Sequence, residues 1–249
     1  MNNRFQETSF IALSHRGNSK KYLENSFEAF KSVVDKGYSF IETDLRKTLD
    51  NKIVTFHDKS LKRLFDIDLE VKNLSFNEIN TFFKQKNCRL LTLEETLNEF
   101  PKTKFNIDLK NKEVVEPAIE IVNDLKAFNR VCFASFNSEN TKKVRNKFPQ
   151  ANISMGLRDV ALFKLFNITN NFSKILQVPI NWNGINILNY NFIKRAMTRK
   201  ILVHAWTIND ENNMRKLISM GINGIITDEP DLLLKVCLLY TSPSPRDLP

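Results

Sequence analysis

Residues 39–57 read Ser-Phe-Ile-Glu-Thr-Asp-Leu-Arg-Lys-Thr-Leu-Asp-Asn-Lys-Ile-Val-Thr-Phe-His. The stretch holds two strand-like runs, residues 39–44 and 53–57, with Leu45–Lys52 between them. A parallel crossover needs about a dozen residues and usually a helix. Leu45–Lys52 is too short for one and carries a turn signal at Asp50-Asn51. Residues 39–57 are therefore read as a hairpin arm. A two-residue turn at Asp50-Asn51 pairs Thr48 with Ile53 and sets His57 directly across from Asp44, on the face that Glu42 shares. A four-residue loop keeps this register, whereas an odd-length loop flips it.

The arm matters because it settles a count. Further strand-like runs occur at residues 10–14, 104–109, 131–135, 152–155, 174–178, 201–206 and 224–227. Helical patterns fill most gaps, at residues 26–36, 93–100, 114–128, 138–147, 159–166, 191–199 and 211–220. Asp210 before the last of these and Gly221 after it read as a cap and a glycine stop. Repeated strand–helix–strand units imply a parallel sheet. Nine runs are one too many for a closed eight-stranded barrel, and the hairpin removes the surplus. The expected fold is α/β, a single (β/α)₈ TIM barrel, an ordinary outcome for 249 residues.

Composition excludes several alternatives. With 42% hydrophobic and 26% charged residues the chain is an ordinary globular sequence, neither disordered nor collagen-like. No run approaches the roughly 18 apolar residues that span a bilayer. Met1–Ser9 is polar with no hydrophobic signal region, so the expected compartment is the cytoplasm. Cys88, Cys132 and Cys237 give neither a disulfide framework nor a zinc knuckle. The formal charge of +9 could attract nucleic acid, anionic lipid or a phosphorylated substrate. No five or six basic residues cluster, however, so the charge reads as solvated faces. Residues 237–249 break the preceding pattern and resemble a translated sequencing adapter. They are read as a non-native tail behind a barrel domain of residues 1–236.

Catalytic groups in such a barrel sit where strands end at the C-terminal rim. The strand ends supply His15-Arg16, Glu42 with Asp44, His57-Asp58, Asp108 with Lys110, and Trp206. Glu42 and Asp44 are two apart on one strand, so both carboxylates face one side. Asp108 and Lys110 repeat that geometry. Three carboxylates without His or Cys among them suit one hard divalent cation, Ca²⁺ or Mg²⁺, better than zinc. Two histidines beside them suit acid–base work on a phosphate ester. Arg16 and Lys110 suit binding of its oxygens.

The same residues carry a resemblance. Ser14-His-Arg-Gly17, Glu24-Asn-Ser26, Ile41-Glu-Thr-Asp44, Val54-Thr-Phe-His-Asp58, Asn106-Ile-Asp-Leu-Lys110 and Ala205-Trp-Thr-Ile-Asn209 occur in order. Together they resemble the glycerophosphodiester phosphodiesterase family, on its (β/α)₈ barrel. Leu176-Gln-Val-Pro179 and Gly221-Ile-Asn-Gly-Ile-Ile-Thr-Asp-Glu-Pro-Asp231 resemble its compact cytoplasmic bacterial branch. The resemblance implies His15 and His57 as the catalytic pair, with His15 as base and His57 as acid or the reverse. It implies Glu42, Asp44 and Asp108 as metal ligands, Asp108 standing where the family often has glutamate. Arg16 and Lys110 match phosphate-binding positions, Glu24 a supporting carboxylate, and Trp206 an aromatic against the substrate. The implied reaction releases sn-glycerol 3-phosphate and an alcohol, by water or through a cyclic phosphate.

Other readings stand beside these. His204 is expected to be a satisfied interior histidine, Asp58 a hairpin-end hydrogen-bonding residue, and Cys88 and Cys132 structural. Lysophospholipase D-type hydrolysis at a membrane surface is the rival enzyme reading. It turns on whether Phe82, Phe83, Phe163, Phe166 and Phe172 meet at the active rim or lie behind the helices. A non-catalytic barrel binding phosphate or nucleic acid is the rival of another class. The sequence carries no recognised nucleic-acid motif, so the expected partner is a small-molecule substrate.

Overall fold

The computed structural model describes residues 10–170 and 172–241. Its strands are β1 (Ile11–His15), β2 (Phe40–Lys47), β3 (Ile53–Thr55), β4 (Lys104–Leu109), β5 (Val131–Ala134), β6 (Asn152–Ile153), β7 (Ile175–Val178), β8 (Asn181–Trp182), β9 (Ile185–Asn186), β10 (Leu202–Ala205) and β11 (Gly224–Thr227). Its helices are α1 (Phe27–Val34), α2 (Lys62–Phe65), α3 (Phe76–Gln85), α4 (Leu93–Glu99), α5 (Val115–Asp124), α6 (Ser138–Lys147), α7 (Leu157–Phe166), α8 (Tyr190–Thr198), α9 (Glu211–Ser219) and α10 (Pro230–Thr241).

Eight parallel strands run in the order β6-β5-β4-β2-β1-β11-β10-β7. A parallel bridge from Ser154 to Ile175 and a 2.8 Å bond from Met155 N to Ile175 O join the two ends of that series. The fold is thus the expected TIM barrel, with helices packed outside it. α10 continues past Val236 to Thr241 without a break at the expected tail boundary, and residues 242–249 lie outside the described residues. Among the described residues, no helix is long and apolar enough to cross a membrane.

The hairpin arm exists, but its register differs from the expected one. β3 pairs antiparallel with β2 as Leu45↔Thr55, Arg46↔Val54 and Lys47↔Ile53. Thr48 N bonds Lys52 O, which leaves a three-residue loop of Leu49, Asp50 and Asn51. Asn51 takes the left-handed conformation (φ 61°) that such a loop needs. The odd loop moves the pairing by one residue, and Phe56 N rather than His57 bonds Asp44 O. Between β3 and β4 the chain adds α2 and α3, which periodicity did not suggest. α3 does carry a sequence signal, a capping box in which Ser75 and Glu78 bond each other's backbone N–H.

Inside the barrel, alternate residues face inward and form layers. Ile11, Leu13, Phe40, Cys132, Ile175 and Ile226 make an apolar plug. Above it Asn106 and Gln177 bond across the barrel, with Gln177 Nε2 donating to Asn106 Oδ1 at 2.8 Å. His204 faces this interior, where Gly224 leaves it room; a Cβ on Gly224 would stand 2.9 Å from the imidazole Cδ2. The expectation for His204 holds for its position and fails for its partners. The residue is buried, yet neither ring nitrogen has a hydrogen-bond partner.

Burial depresses the His204 pKa from 6.5 to about 4. As pH falls, the unfolded chain takes the proton first, so the folded state loses stability between those two values. The loss amounts to about 3 kcal/mol by the lower one. Thermal melts across that range should show this acid slope, and His204→Leu should flatten it. Equal slopes in the two proteins would exclude His204 as the source.

Candidate active site

The site is built from the C-terminal ends of the strands. The parallel register sets His15 beside Glu42 and Glu42 beside Asn106, then Asp44 beside Asp108 one pleat higher. These side chains line one cavity of about 370 Å³ with Arg16, His57, Lys110 and Trp206. Of the residues expected from the sequence, Glu24 alone does not line it and stands behind Arg16.

The His-Arg-Gly run makes the first corner. Arg16 adopts φ 57°, unusual for a residue with a Cβ, and is held there by two backbone bonds. Its N–H donates to Glu42 O at 2.9 Å and its carbonyl accepts from Asn25 N at 2.9 Å. Gly17 must be glycine, since a Cβ there would lie 2.6 Å from the Ala29 carbonyl carbon. The result turns the Arg16 guanidinium inward. Its Nε lies 3.0 Å from Asp44 Oδ2, and Nη1 donates to Glu24 Oε1 at 3.0 Å.

His57 reaches the cavity by a route that strand pairing does not supply. The ladder ends at Thr55, and Arg46 Nε and Nη2 hold the His57 carbonyl at 2.9 and 2.8 Å. Each histidine then has its Nδ1 tied to a carboxylate, which leaves Nε2 for the cavity. His15 Nδ1 lies 2.6 Å from Asp228 Oδ1, and His57 Nδ1 lies 2.7 Å from Asp58 Oδ1. Asn209 holds Asp228, donating from Nδ2 at 2.8 Å. Arg63, on α2, donates to Asp58 Oδ2 at 2.6 Å and to both oxygens of Glu24.

Asp228, Asn209, Asn25, Arg46 and Arg63 were not among the expected site residues. Asp228 follows the end of β11, a rim position that could have singled it out. Asn25 and Asn209 belong to motifs already quoted. Arg63 and Arg46 have no signal in spacing. Asp58 does bond at the hairpin's end, and its partner is His57 itself.

The electrostatics divide the carboxylates. Asp44, 1% exposed, would be raised by burial, but Lys110 and Arg16 hold it well below the usual range. Lys110 Nζ stands 2.8 Å from Asp44 Oδ1 and 2.6 Å from Asp108 Oδ2. Burial and the charge on Asp44 push Glu42 up to about 8. Burial lowers both histidines, but the Glu42 and Asp228 carboxylates more than reverse this for His15, whose pKa rises. For His57, burial with Lys110 and Arg16 outweighs Asp44, and the pKa falls.

The donors suit a hard cation in chemistry. Glu42 Oε2 is buried without a hydrogen-bond partner, 3.7 Å from His15 Nε2, while Asp44 and Asp108 are met by Arg16, Lys110 and Asn25. The expected convergence is nonetheless incomplete. Among the described residues, no three Asp, Glu, His or Cys side chains stand together as a ready cage. The Lys110 ammonium occupies the space between Asp44 and Asp108.

One wall of the cavity is apolar, and none of the five phenylalanines on which the rival reading turns lines it. Phe83 and Phe163 are buried, Phe82 packs against the cluster under α3, Phe172 lies against Arg145, and Phe166 is exposed away from the cavity. Phe136, Trp182 and Trp206 form the wall instead, with ring centroids 5.6 to 6.1 Å apart.

The profile of the Glycerophosphoryl diester phosphodiesterase family matches residues 15–232. The chain belongs to that family. A glycerophosphodiester phosphodiesterase from Caldanaerobacter subterraneus is 28% identical over 240 residues, covering 91% of this chain and 97% of that protein. The crystal structure of the Thermotoga maritima enzyme of that name superposes with a TM-score of 0.73 at 26% identity, covering 91% of this chain and 98% of that one. An Oleispira antarctica phosphodiesterase, solved with the product sn-glycerol-3-phosphate, shares the fold with a TM-score of 0.75 at 20% identity, covering 91% and 96% of the two chains. Glycerophosphoryl diester phosphodiesterases are enzymes, and this chain carries their barrel with a polar rim along nearly its whole length.

Two substitutions test the braces behind the histidines. Asp228→Asn keeps the shape but offers Nδ1 an amide that can impose the wrong tautomer, so kcat should fall on the order of 10²-fold or more. Arg63→Met should lower kcat about tenfold by releasing Asp58, and Arg63→Lys should recover only part, because one ammonium cannot bridge two carboxylates as a guanidinium fork does. Steady-state kinetics on a glycerophosphodiester would reveal both effects. Unchanged kcat in either Asp228→Asn or Arg63→Met would remove that brace from the mechanism.

Proposed function

We propose that this chain hydrolyses glycerophosphodiesters to sn-glycerol 3-phosphate and an alcohol by two-histidine acid–base catalysis. The substrate is a small molecule met in the cytoplasm. The observation that carries this reading is the pairing of His15 and His57 across one cavity, each with Nδ1 bound to a carboxylate and Nε2 left to the substrate. One imidazole takes a proton from the attacking oxygen while the other gives one to the leaving alkoxide. Arg16 and Lys110 hold the phosphate oxygens and offset the charge that builds in the transition state. Trp206 borders the substrate between the polar end and the aromatic wall.

Glu42, Asp44 and Asp108 are the residues that would hold a divalent cation, Ca²⁺ or Mg²⁺. Such an ion supplies Lewis-acid polarisation of a phosphate oxygen and a template for orientation. The unpartnered Glu42 Oε2 supports this assignment.

Purified protein should release glycerol 3-phosphate from glycerophosphocholine with Ca²⁺ or Mg²⁺ and stop with EDTA. His15→Ala and His57→Ala should each lose roughly 10²–10⁴-fold. A p-nitrophenyl ester of glycerol phosphate then separates the roles, since its leaving group needs no proton. The variant lacking the acid recovers on this substrate, and the variant lacking the base does not. Recovery in His57→Ala gives the polarity that the family resemblance puts first; recovery in His15→Ala gives the one the opposed pKa directions favour. Full activity of either alanine variant on glycerophosphocholine would overturn the two-histidine reading.

A further inference from the structure

We propose that Lys164 forms a second anion subsite in the catalytic cavity, one that favours phosphodiesters whose alcohol carries a further carboxylate or phosphate. The inference rests on the hydrolase reading above and adds the residue that discriminates among substrates. Besides the histidines, the basic side chains lining the cavity are Arg16, Lys110 and Lys164. Arg16 is paired with Glu24 and Asp44, and Lys110 with Asp44 and Asp108. Lys164 has no such pairing. Its Nζ donates to the Ile187 carbonyl at 3.0 Å, and among the described residues no carboxylate stands within ion-pair distance of it. An ammonium has three donors, so two remain for a ligand.

Lys164 does not stand on a solvated face. Leu157, Val160, Ala161, Lys164 and Leu165 line the cavity together, at the spacing of one side of α7, and Lys164 alone among them is charged. Its neighbour on α8 is cationic as well. Arg195 donates from Nη2 to the Lys164 carbonyl at 3.2 Å, lies over the Phe163 ring and keeps its Nε buried without a partner. Burial, and after it the Arg195 charge, lower the Lys164 pKa, and no carboxylate opposes them. A half-buried cation without a counter-ion is unfavourable, and an anion that enters the cavity relieves it with a charge-assisted hydrogen bond. Glycerol phosphate, the part common to every substrate of this reaction, takes Arg16 and Lys110 at the strand ends. The part left to reach α7 is the alcohol, so the alcohol is what must bear the second anion. As a brace alone, Lys164 would need only its bond to Ile187, for which a neutral donor suffices.

Two matched substrate pairs test this. Glycerophosphoserine is glycerophosphoethanolamine with a carboxylate added, and glycerophosphoglycerol can be compared with its terminal phosphate monoester. In at least one pair kcat/KM should favour the anionic member by about tenfold, the low end for a hydrogen bond to a charged group in a cavity open to water. Preference in the first pair alone assigns the site to a carboxylate, and in the second alone to a phosphate. Lys164→Met should abolish the preference and Lys164→Arg should keep it. Lys164→Gln should abolish it too, although the amide still offers Ile187 a donor, which separates the charge from the brace. Calorimetric binding of the phosphorylated alcohols gives a readout without turnover. O-phosphoserine against phosphoethanolamine, or glycerol bisphosphate against glycerol phosphate, should show the same preference and the same dependence on Lys164. Equal kcat/KM within both pairs, or a preference that Lys164→Met and Lys164→Gln retain, would overturn the subsite and leave the hydrolase standing. Tighter binding of the anionic ligand that these variants lose, with no diester turned over, would keep the subsite and overturn the hydrolase.

Discussion

The site is organised around one buried carboxylate. Asp44 is 1% exposed, and an ion so placed costs several kcal/mol unless its neighbours compensate it. Lys110 approaches one oxygen at 2.8 Å; Arg16 Nε and Asn25 Nδ2 each approach the other at 3.0 Å. Each compensator imposes its own demand on the chain. Arg16 and Asn25 both stand in left-handed conformations, at φ 57° and 58°, and are bonded backbone to backbone. Asn25 is fixed in turn by Thr43, whose hydroxyl donates to Asn25 Oδ1 at 2.8 Å. The corner after β1, the inward face of β2 and the end of β4 are therefore one electrostatic unit. Removing any member leaves charge in the interior without its counterpart.

From this unit the two histidines are held in a similar way by unrelated segments. His15 sits on β1 and its brace on the loop after β11, adjacent strands of the barrel. His57 sits beyond the hairpin, with Asp58 next to it in sequence and Arg63 behind on α2. Arg63 also grips Glu24, which grips Arg16. A continuous chain of ionic contacts therefore runs from His57 through the added segment back to the Asp44 unit. Through Arg63, α2 thus serves the site directly, and without it His57 would keep Arg46 on its carbonyl and an Asp58 that has lost its own brace.

How much of this is legible in the sequence depends on the range of the interaction. The barrel was readable because strand and helix periods alternate along the chain, and because Leu45–Lys52 is too short for a crossover. The alternation that puts Glu42 and Asp44 on one face is local, and it holds in the structure. The hairpin register was not readable, since Asn51 is left-handed in either loop and the parity depends on whether Asp50 is left-handed too, which Asp50-Asn51 permits but does not require. His57 still reaches the cavity because the chain leaves the ladder at Thr55. The braces were harder still, since Asp228 and His15 are 213 residues apart and only closure of the barrel brings them together. His204 was misread because burial was inferred to bring partners, and the barrel interior offers it none.

The position of Lys110 links the proposed phosphate and cation sites. Its ammonium lies between Asp44 and Asp108, oxygens that the cation assignment also uses. Three carboxylates, Glu42, Asp44 and Asp108, face the two cations Arg16 and Lys110. An anionic phosphodiester arriving at Arg16 and Lys110 draws on the charge that now compensates the carboxylates. That raises their demand for a cation, and a cation in turn frees the two basic side chains for phosphate. Linkage makes the dependence mutual, so each ligand should strengthen binding of the other by the same factor. Burial first, and the charge on Asp44 after it, raise the Glu42 pKa. His15, Arg16 and Lys110 already oppose that rise, and a further positive charge would oppose it more. The ammonium between Asp44 and Asp108 is thus the point at which the proposed phosphate and cation sites would compete for charge.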